Sequence, residues 1–273
     1  MSSAANTNVS TAAEAFDRVA ATYDDSFTRT VIGQAQRKQV WKRLLQAYAP
    51  GDRLLELNCG TGEDARFLAT HGRSVVACDG SAEMIKVAGG RAWKETGNAD
   101  LIFKCLANED LRLLSRGQLF DGAYSNFSGL NCVSDLQPVA RELASLVRPG
   151  GRVVICLWSR VCAAELIWYL FHGKVGKAVR RFSGQAKANV GGLNITVLYP
   201  TVKEVGRAFA PWFELDHRQA IGLFVPPSYV ESWARKHGAL MGYLEKMDGV
   251  FAELPVLRDL GDHVLLEFVR GNQ

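Results

Sequence analysis

Four residues in the first third of the chain, Glu56, Gly60, Gly62 and Asp79, have types and spacing that suit a nucleoside site. Three of them lie in Leu54-Leu-Glu56-Leu-Asn58-Cys59-Gly60-Thr-Gly62-Glu63, a buried-looking strand that runs into a glycine turn and then an amphipathic helix. Glycines suit such a turn because they accept positive φ and let a ligand approach the backbone. By itself, Gly60-x-Gly62-x-x-Ala65 also passes as a loose fingerprint for nicotinamide dinucleotides. Glu56 shifts the balance. A carboxylate there repels a pyrophosphate but suits a ligand that carries positive charge and no phosphate. Asp79 ends a second apolar run, Arg73-Ser-Val-Val-Ala-Cys78-Asp79, seventeen residues after Gly62, the length of one helix and one strand. A carboxylate at that tip can accept hydrogen bonds from both ribose hydroxyls of an adenosine, or can cap the helix expected from Ser81.

Elements that position these residues are read from periodicity. Strand-like runs near 52–57, 74–79, 101–105, 120–125 and 152–158 alternate with helical patterns near 35–48, 62–71, 81–93 and 135–147. Such alternation predicts a parallel sheet with helices on both faces, whose ligands bind beyond the carboxyl ends of the strands. Glu56, Asp79, Asn108 and Ser125 all fall at such ends. Beyond Trp158 come an aromatic-rich helical segment, a basic stretch, a Gly-Gly loop and a strand-like run within 161–200. Two β-rich runs, 212–225 and 262–269, complete the sheet, and 226–260 reads as helical. The 161–200 and 226–260 segments are extra to the 35–160 core, placed where substrate recognition usually sits. Residues 1–12 read as a disordered lead and 13–273 as a single domain.

Composition bounds the partners. A net charge of +4 and a pI near 8.7 are far from the footprint of a dedicated nucleic-acid binder. No run of eighteen apolar residues suggests a membrane span, and the first residues lack the basic start and apolar stretch of a signal peptide. Six cysteines without a Cys-x-x-Cys pair or zinc-like His spacing suggest a reduced cytoplasmic protein without structural metal. Oligomeric state is not readable.

Glu56-Leu-Asn-Cys-Gly-Thr-Gly62 resembles the first motif of class I S-adenosylmethionine-dependent methyltransferases, and the α-ammonium and sulfonium of that cofactor answer to the charge expected at Glu56. Asp79-Gly80-Ser-Ala-Glu-Met84 resembles their second-strand signature, in which the Met packs against the adenine. Leu106-Ala107-Asn108-Glu-Asp-Leu111, Phe120-Asp-Gly-Ala-Tyr-Ser125 and Leu146-Val-Arg-Pro-Gly-Gly151 are similar to the segments at strands three, four and five. Phe16-Asp-Arg-Val-Ala-Ala-Thr-Tyr23-Asp24 is similar to the N-terminal segment of small-molecule members, the quinone-biosynthesis C-methyltransferases among them. Together these motifs cover residues 13–160. The resemblance implies a Rossmann-like, doubly wound, mostly parallel seven-stranded α/β sheet with helical insertions as a substrate lid. It also implies S-adenosylmethionine as cofactor, S-adenosylhomocysteine as product and a small-molecule acceptor, aromatic or anionic. Three departures stand out. Asn58 replaces the family's first glycine, and Asn is the residue that best tolerates a left-handed turn. Ala107 replaces the Asp that reads the adenine amino group, leaving Asn108 as the substitute. Ser125-Asn126-Phe127-Ser128 lacks the prolines of the amine-methylating motif.

Methyl transfer from a sulfonium is an in-line displacement, so positioning is the chief requirement and a base is needed only for a protonated nucleophile. Tyr23 is a candidate lid over the methionine end, or an anchor of the N-terminal helix. His217 and His172 are candidate bases or acceptor contacts, or ordinary surface histidines; His71 ends a helix, and His237 and His263 have no distinguishing context. Phe127 and Asn131, past strand four, are placed to face the reacting methyl or to form a surface loop. Arg181, with Lys174, Lys177 and Arg180, would hold an anionic acceptor or form a solvated helix face. Trp158 and Tyr169, among other aromatics, would line an acceptor pocket or form the core of the insertion. A non-catalytic S-adenosylmethionine-binding protein, a nicotinamide oxidoreductase and an RNA methyltransferase are the competing readings.

Overall fold

A computed structural model describes residues 2–91, 99–114 and 117–272, with residues 2–10 as backbone. The chain runs α1 (Ser2–Val19), α2 (Val31–Ala47), β1 (Arg53–Leu57), α3 (Glu63–Thr70), β2 (Ser74–Asp79), α4 (Ala82–Gly90), β3 (Leu101–Cys105) and β4 (Phe120–Ser125). It continues through α5 (Gln137–Leu146), β5 (Val147–Trp158), α6 (Ala163–Phe171), α7 (Val175–Ala178), β6 (Gln185–Val190) and β7 (Leu193–Leu198). The last elements are α8 (Val202–Phe209), β8 (Phe213–Ile221), α9 (Glu231–Lys236), α10 (Gly238–Phe251) and β9 (His263–Arg270). Residues 92 and 93, the end of the helix expected over 81–93, lie outside the described residues.

Seven strands form one sheet in the order β3-β2-β1-β4-β5-β9-β8, parallel except for β9, which runs antiparallel to both neighbours. The continuous apolar runs are explained by burial on both faces. Leu55, Leu57, Val76 and Cys78 point into a core shared with α5 and α8, while Leu54, Val75 and Ala77 point the other way, against α2 and α3. β1 to β4 occupy the stretches their periodicity predicts, and the two late β-rich runs complete the sheet as β8 and β9. β5 starts earlier than expected, at Val147. The Pro149-Gly150-Gly151 turn is absorbed into that strand, exposed at Pro149 and Gly150 and buried at Gly151, where its pairing with β4 shifts between Phe120 and Gly122.

Two segments differ from expectation. The lead expected to be disordered over 1–12 is helical from Ser2 onward, and Ala12, Ala15 and Phe16 of α1 bury against Ile195 and Val197 of β7 and Tyr199 just after it. Small alanines at helical spacing allow that close approach, which a reading of polar composition misses. The single strand-like run within 161–200 is a two-stranded hairpin, β6–β7, whose turn is Gly191-Gly192, both at positive φ. No helix among the described residues is long and apolar enough to cross a membrane.

Candidate functional site

A cavity of ≈ 530 Å³ opens at the carboxyl ends of β1, β2 and β4, within the size range of small-molecule sites. Its floor is the turn after β1. Asn58 adopts φ 56, the left-handed conformation expected for a glycine replacement, followed by Gly60 at φ 52 and Gly62 at φ 75. The Asn58 side-chain oxygen accepts hydrogen bonds from Asn108 Nδ2 (3.4 Å) and Ser125 Oγ (3.3 Å), so it ties the ends of β3 and β4 to the turn. Ser125 itself is buried behind the lining.

Asp79 lines the cavity, and the helix cap read for it belongs instead to Ser81. Asp79 Oδ2 accepts from the Gly60 N–H (2.8 Å) and its Oδ1 from the Ser81 N–H (2.8 Å). Each oxygen keeps further acceptor capacity, and Asp79 lines the cavity with Gly80, Met84, Ala107 and Asn108. Ser81 caps α4 through Met84 N (3.1 Å) and donates to Asp17 of α1 (2.6 Å), which locks the N-terminal helix onto the end of β2. Burial raises the Asp79 pKa against the lowering by those two N–H donors.

Glu56 is 2% exposed, and its Oε2 has no hydrogen-bond partner although the side chain lines the cavity. Burial, with the nearby Asp64 carboxylate, pushes its pKa well above the ordinary range. The buried Tyr124 hydroxyl beside it and the Arg37 guanidinium work against that rise. The cavity lining carries four carboxylates, Glu56, Glu63, Asp64 and Asp79, against the single guanidinium of Arg37. That field suits a cationic ligand and opposes a pyrophosphate.

Tyr23 lines the cavity beside one turn of π-helix, Asp24–Thr28, which contributes Ser26 and Phe27. The segment is clasped to the floor: Thr61 Oγ1 donates to Asp24 (2.7 Å), and Arg91 pairs with Asp24 and Glu63. Burial raises the Tyr23 pKa, the largest cause, with Arg37 opposing; the phenol therefore stays a neutral donor near pH 7. Phe127 and Ser128 both take left-handed conformations (φ 51 and 74), a strained pair that turns Phe127 into the cavity. Its ring stacks under the Arg37 guanidinium (4.6 Å) and edge-on to Phe27 (5.0 Å).

Several expected acceptor residues are elsewhere. Asn131 is fully buried and staples β5 to β7, accepting from Trp158 N–H (3.0 Å) and donating to the Leu198 carbonyl (2.6 Å). His217 lies mid-strand on β8 beside Gln219 (3.2 Å), and His172 ends α6, bonded to the Trp168 carbonyl (2.7 Å); neither lines the cavity. Tyr169 stacks on Tyr229 (5.3 Å) outside it. Arg181 is buried between Glu165 (2.6 Å) and Asp262 (2.7 Å). Cys162 joins those two carboxylates in a cluster with metal-like spacing, but the Arg181 guanidinium already supplies its positive charge. Trp158 does line the cavity. The outer wall draws Val190, Ile195 and Val197 from the β6–β7 hairpin, Phe16 from α1 and Ser228 from the 226–260 segment.

The sequence reading missed Arg37, Asp64 and Asn126. Arg37 and Trp41, one helical turn apart on α2, both donate to Asp64, and Asn126 Nδ2 donates to its other oxygen (3.0 Å). An Arg and a Trp at i, i+4 on a helix otherwise facing the core were the available signal. His263, without context in sequence, is buried at 3% exposure edge-on behind Phe127 (5.7 Å), and burial lowers its pKa to about 4.

Residues 54–151 match the family described as a methyltransferase domain. A demethylmenaquinone methyltransferase of Streptomyces griseus subsp. griseus is 34% identical over 152 residues, which are 54% of this chain and 60% of that protein. A 2-phytyl-1,4-naphtoquinone methyltransferase of Synechocystis sp. is 33% identical over 51% of this chain and 59% of its own length. The chain thus spans about three-fifths of the curated relatives it matches. The N-methyltransferase NodS of Bradyrhizobium japonicum, solved with S-adenosylhomocysteine, superposes with a TM-score of 0.52 at 14% identity over 90% of each chain, a likeness of fold. The matched domain, the seven-stranded order and these relatives make the chain similar to class I S-adenosylmethionine-dependent methyltransferases, whose fold it shares.

Proposed function

We propose that this protein methylates oxygen or carbon of a small aromatic acceptor, with S-adenosylmethionine as donor. The observation that carries the reading is a buried Glu56 lining a cavity rich in carboxylates, beside Asp79 at the end of β2. These residues fit the cofactor: Glu56 answers its ammonium, Asp79 its ribose hydroxyls, Gly80, Met84, Ala107 and Asn108 its adenine, and the Asn58–Gly62 turn, with Cys59, its close approach. When bound, the cofactor supplies an electrophilic methyl on a sulfonium. The chain's own part is to orient and to exclude water. Tyr23, Phe27 and Phe127 close the methionine end, and the apolar wall of Phe16, Val190, Ile195 and Val197 with Trp158 suits a flat apolar acceptor. The names of the relatives support a quinone-type ring. No histidine lines the cavity among the described residues, so an electron-rich acceptor that needs little base assistance fits best.

Incubation with S-adenosylmethionine and a reduced naphthoquinone should release S-adenosylhomocysteine. Tight binding without release over a panel of aromatic acceptors would favour the regulatory reading, and preference for a nicotinamide dinucleotide would overturn both. Asp79→Ala should weaken S-adenosylhomocysteine binding by roughly 1.5–3 kcal/mol, the range for hydrogen bonds to a charged group. Unchanged affinity by calorimetry in a folded variant would remove Asp79 from the site.

A pH dependence follows from Glu56. Its folded pKa is raised, so without ligand it holds a proton at pH values where an ordinary glutamate is ionised. An ammonium beside it favours the carboxylate, so binding should release a proton, and affinity should rise with pH through that window. Calorimetry in buffers of different ionisation enthalpy measures the release. Glu56→Gln should abolish it; persistence of the release in that variant would assign it to another group.

A further inference from the structure

We propose that the α6–α7 segment is a docking surface for an anionic lipid bilayer. Ile167 (56% exposed), Leu170 (52%) and Phe171 (87%) stand at i, i+3 and i+4 on one face of α6, and Val175 (57%), Val179 and Phe182 continue the exposure through α7 and the turn after it. Apolar side chains projecting together from short helices mark a surface that meets a partner. Their setting identifies the chemistry of that partner. Between Glu165 and Glu204 the chain has no Asp or Glu but six Lys or Arg, more positive charge than the +4 of the entire protein. Arg180 and Arg181 turn inward to Glu165, whereas Lys174 and Lys177 are exposed with no ion-pair partner among the described residues. Cations interleaved with exposed aliphatic and aromatic side chains are the composition of interfacial helices: the apolar groups enter the acyl boundary while ammonium groups meet anionic headgroups.

The same features argue against other occupants. In a two-fold dimer this face would set its lysines against themselves. A nucleic acid would use the lysines but leaves Ile167, Leu170 and Val175 without a role. The surface also shares an element with the cavity rim. Tyr169, on the opposite side of α6, stacks on Tyr229, the neighbour of cavity-lining Ser228. Membrane docking does not depend on the proposed methyl transfer, and its readout needs no cofactor.

The test is co-sedimentation of the full chain with vesicles of phosphatidylcholine alone and of equal phosphatidylcholine and phosphatidylglycerol. Partition onto the anionic vesicles should be at least about tenfold greater and should fall with added salt. Lys174→Glu combined with Lys177→Glu should reduce it by about fivefold or more per lysine, the equivalent of about 1 kcal/mol for each charge near the surface. Phe171→Ser should also reduce it, with melting temperature and S-adenosylhomocysteine affinity unchanged, because these side chains touch neither the core nor the cavity. The proposal is overturned by absence of binding, by equal partition onto both vesicles, or by insensitivity to these substitutions. Concentration-dependent dimers lost in Phe171→Ser, or RNA binding lost in the lysine variant, would overturn it as well by assigning the face to a second copy or to nucleic acid.

Discussion

Arg181→Ala should destabilise the protein by about 3–5 kcal/mol, the cost of removing one partner from a buried ion pair. Its guanidinium is 5% exposed, holds the Glu165 and Asp262 carboxylates together, and donates to the Asp262 carbonyl (2.8 Å). Burial works against the cation, yet Asp262, Cys162 and Glu165 outweigh it and raise its pKa. Removal would strip the guanidinium from the nearly inaccessible Asp262, which also accepts from Gln36 of α2 (3.1 Å), and would leave Glu165 to Arg180 at the surface. Arg181→Lys should recover only part of the loss, since an ammonium cannot reproduce the fork that spans both acids. Urea denaturation near pH 7 measures the effect. A variant with wild-type stability and a raised KM for an anionic acceptor would return Arg181 to the substrate role read from sequence.

Gly60→Val should eliminate detectable S-adenosylhomocysteine binding, a loss of more than about 100-fold, equivalent to roughly 3 kcal/mol. A Cβ at Gly60 meets no protein atom within 4 Å, so the added side chain occupies the cavity that the backbone lines. The positive φ adds strain of roughly 1–3 kcal/mol for a β-branched residue, which lowers the melting temperature without preventing folding. Gly62 is the informative contrast. A Cβ there meets the Phe103 ring at 2.6 Å and Ala88 at 3.2 Å, so Gly62→Ala should damage packing before it damages ligand access. Calorimetry beside thermal melts separates the two positions. Wild-type affinity in Gly60→Val would show that the ligand does not approach this turn.

Both substitutions bear on how the site is encoded. Glu56, Asn58, Gly60, Gly62 and Asp79 were legible because a strand, a tight turn and a helix N-terminus are specified by consecutive residues. The left-handed Asn58 illustrates this: its conformation follows from local sterics and needs no knowledge of the rest of the chain. The acceptor side was not legible in the same way. A period of two or 3.6 says which face of an element is buried, but not which element will cover it. Arg181 read as a surface cation because its two acids lie 16 and 81 residues away. His217 and His263 exchanged importance because β9 inserts antiparallel between β5 and β8. That insertion sets His263 opposite Trp158 at the cavity end and leaves His217 at mid-strand.

From sequence alone, the doubly wound sheet and the left-handed glycine turn after β1 were determined, since each is a consequence of neighbours in the chain. Only the tertiary structure decided that α1 and the β6–β7 hairpin wall the cavity. The same holds for the gathering of Arg37, Asp64 and Asn126 beneath Phe127. Such contacts join residues up to about 180 positions apart, and their formation depends on strand order and close packing, which no local pattern specifies.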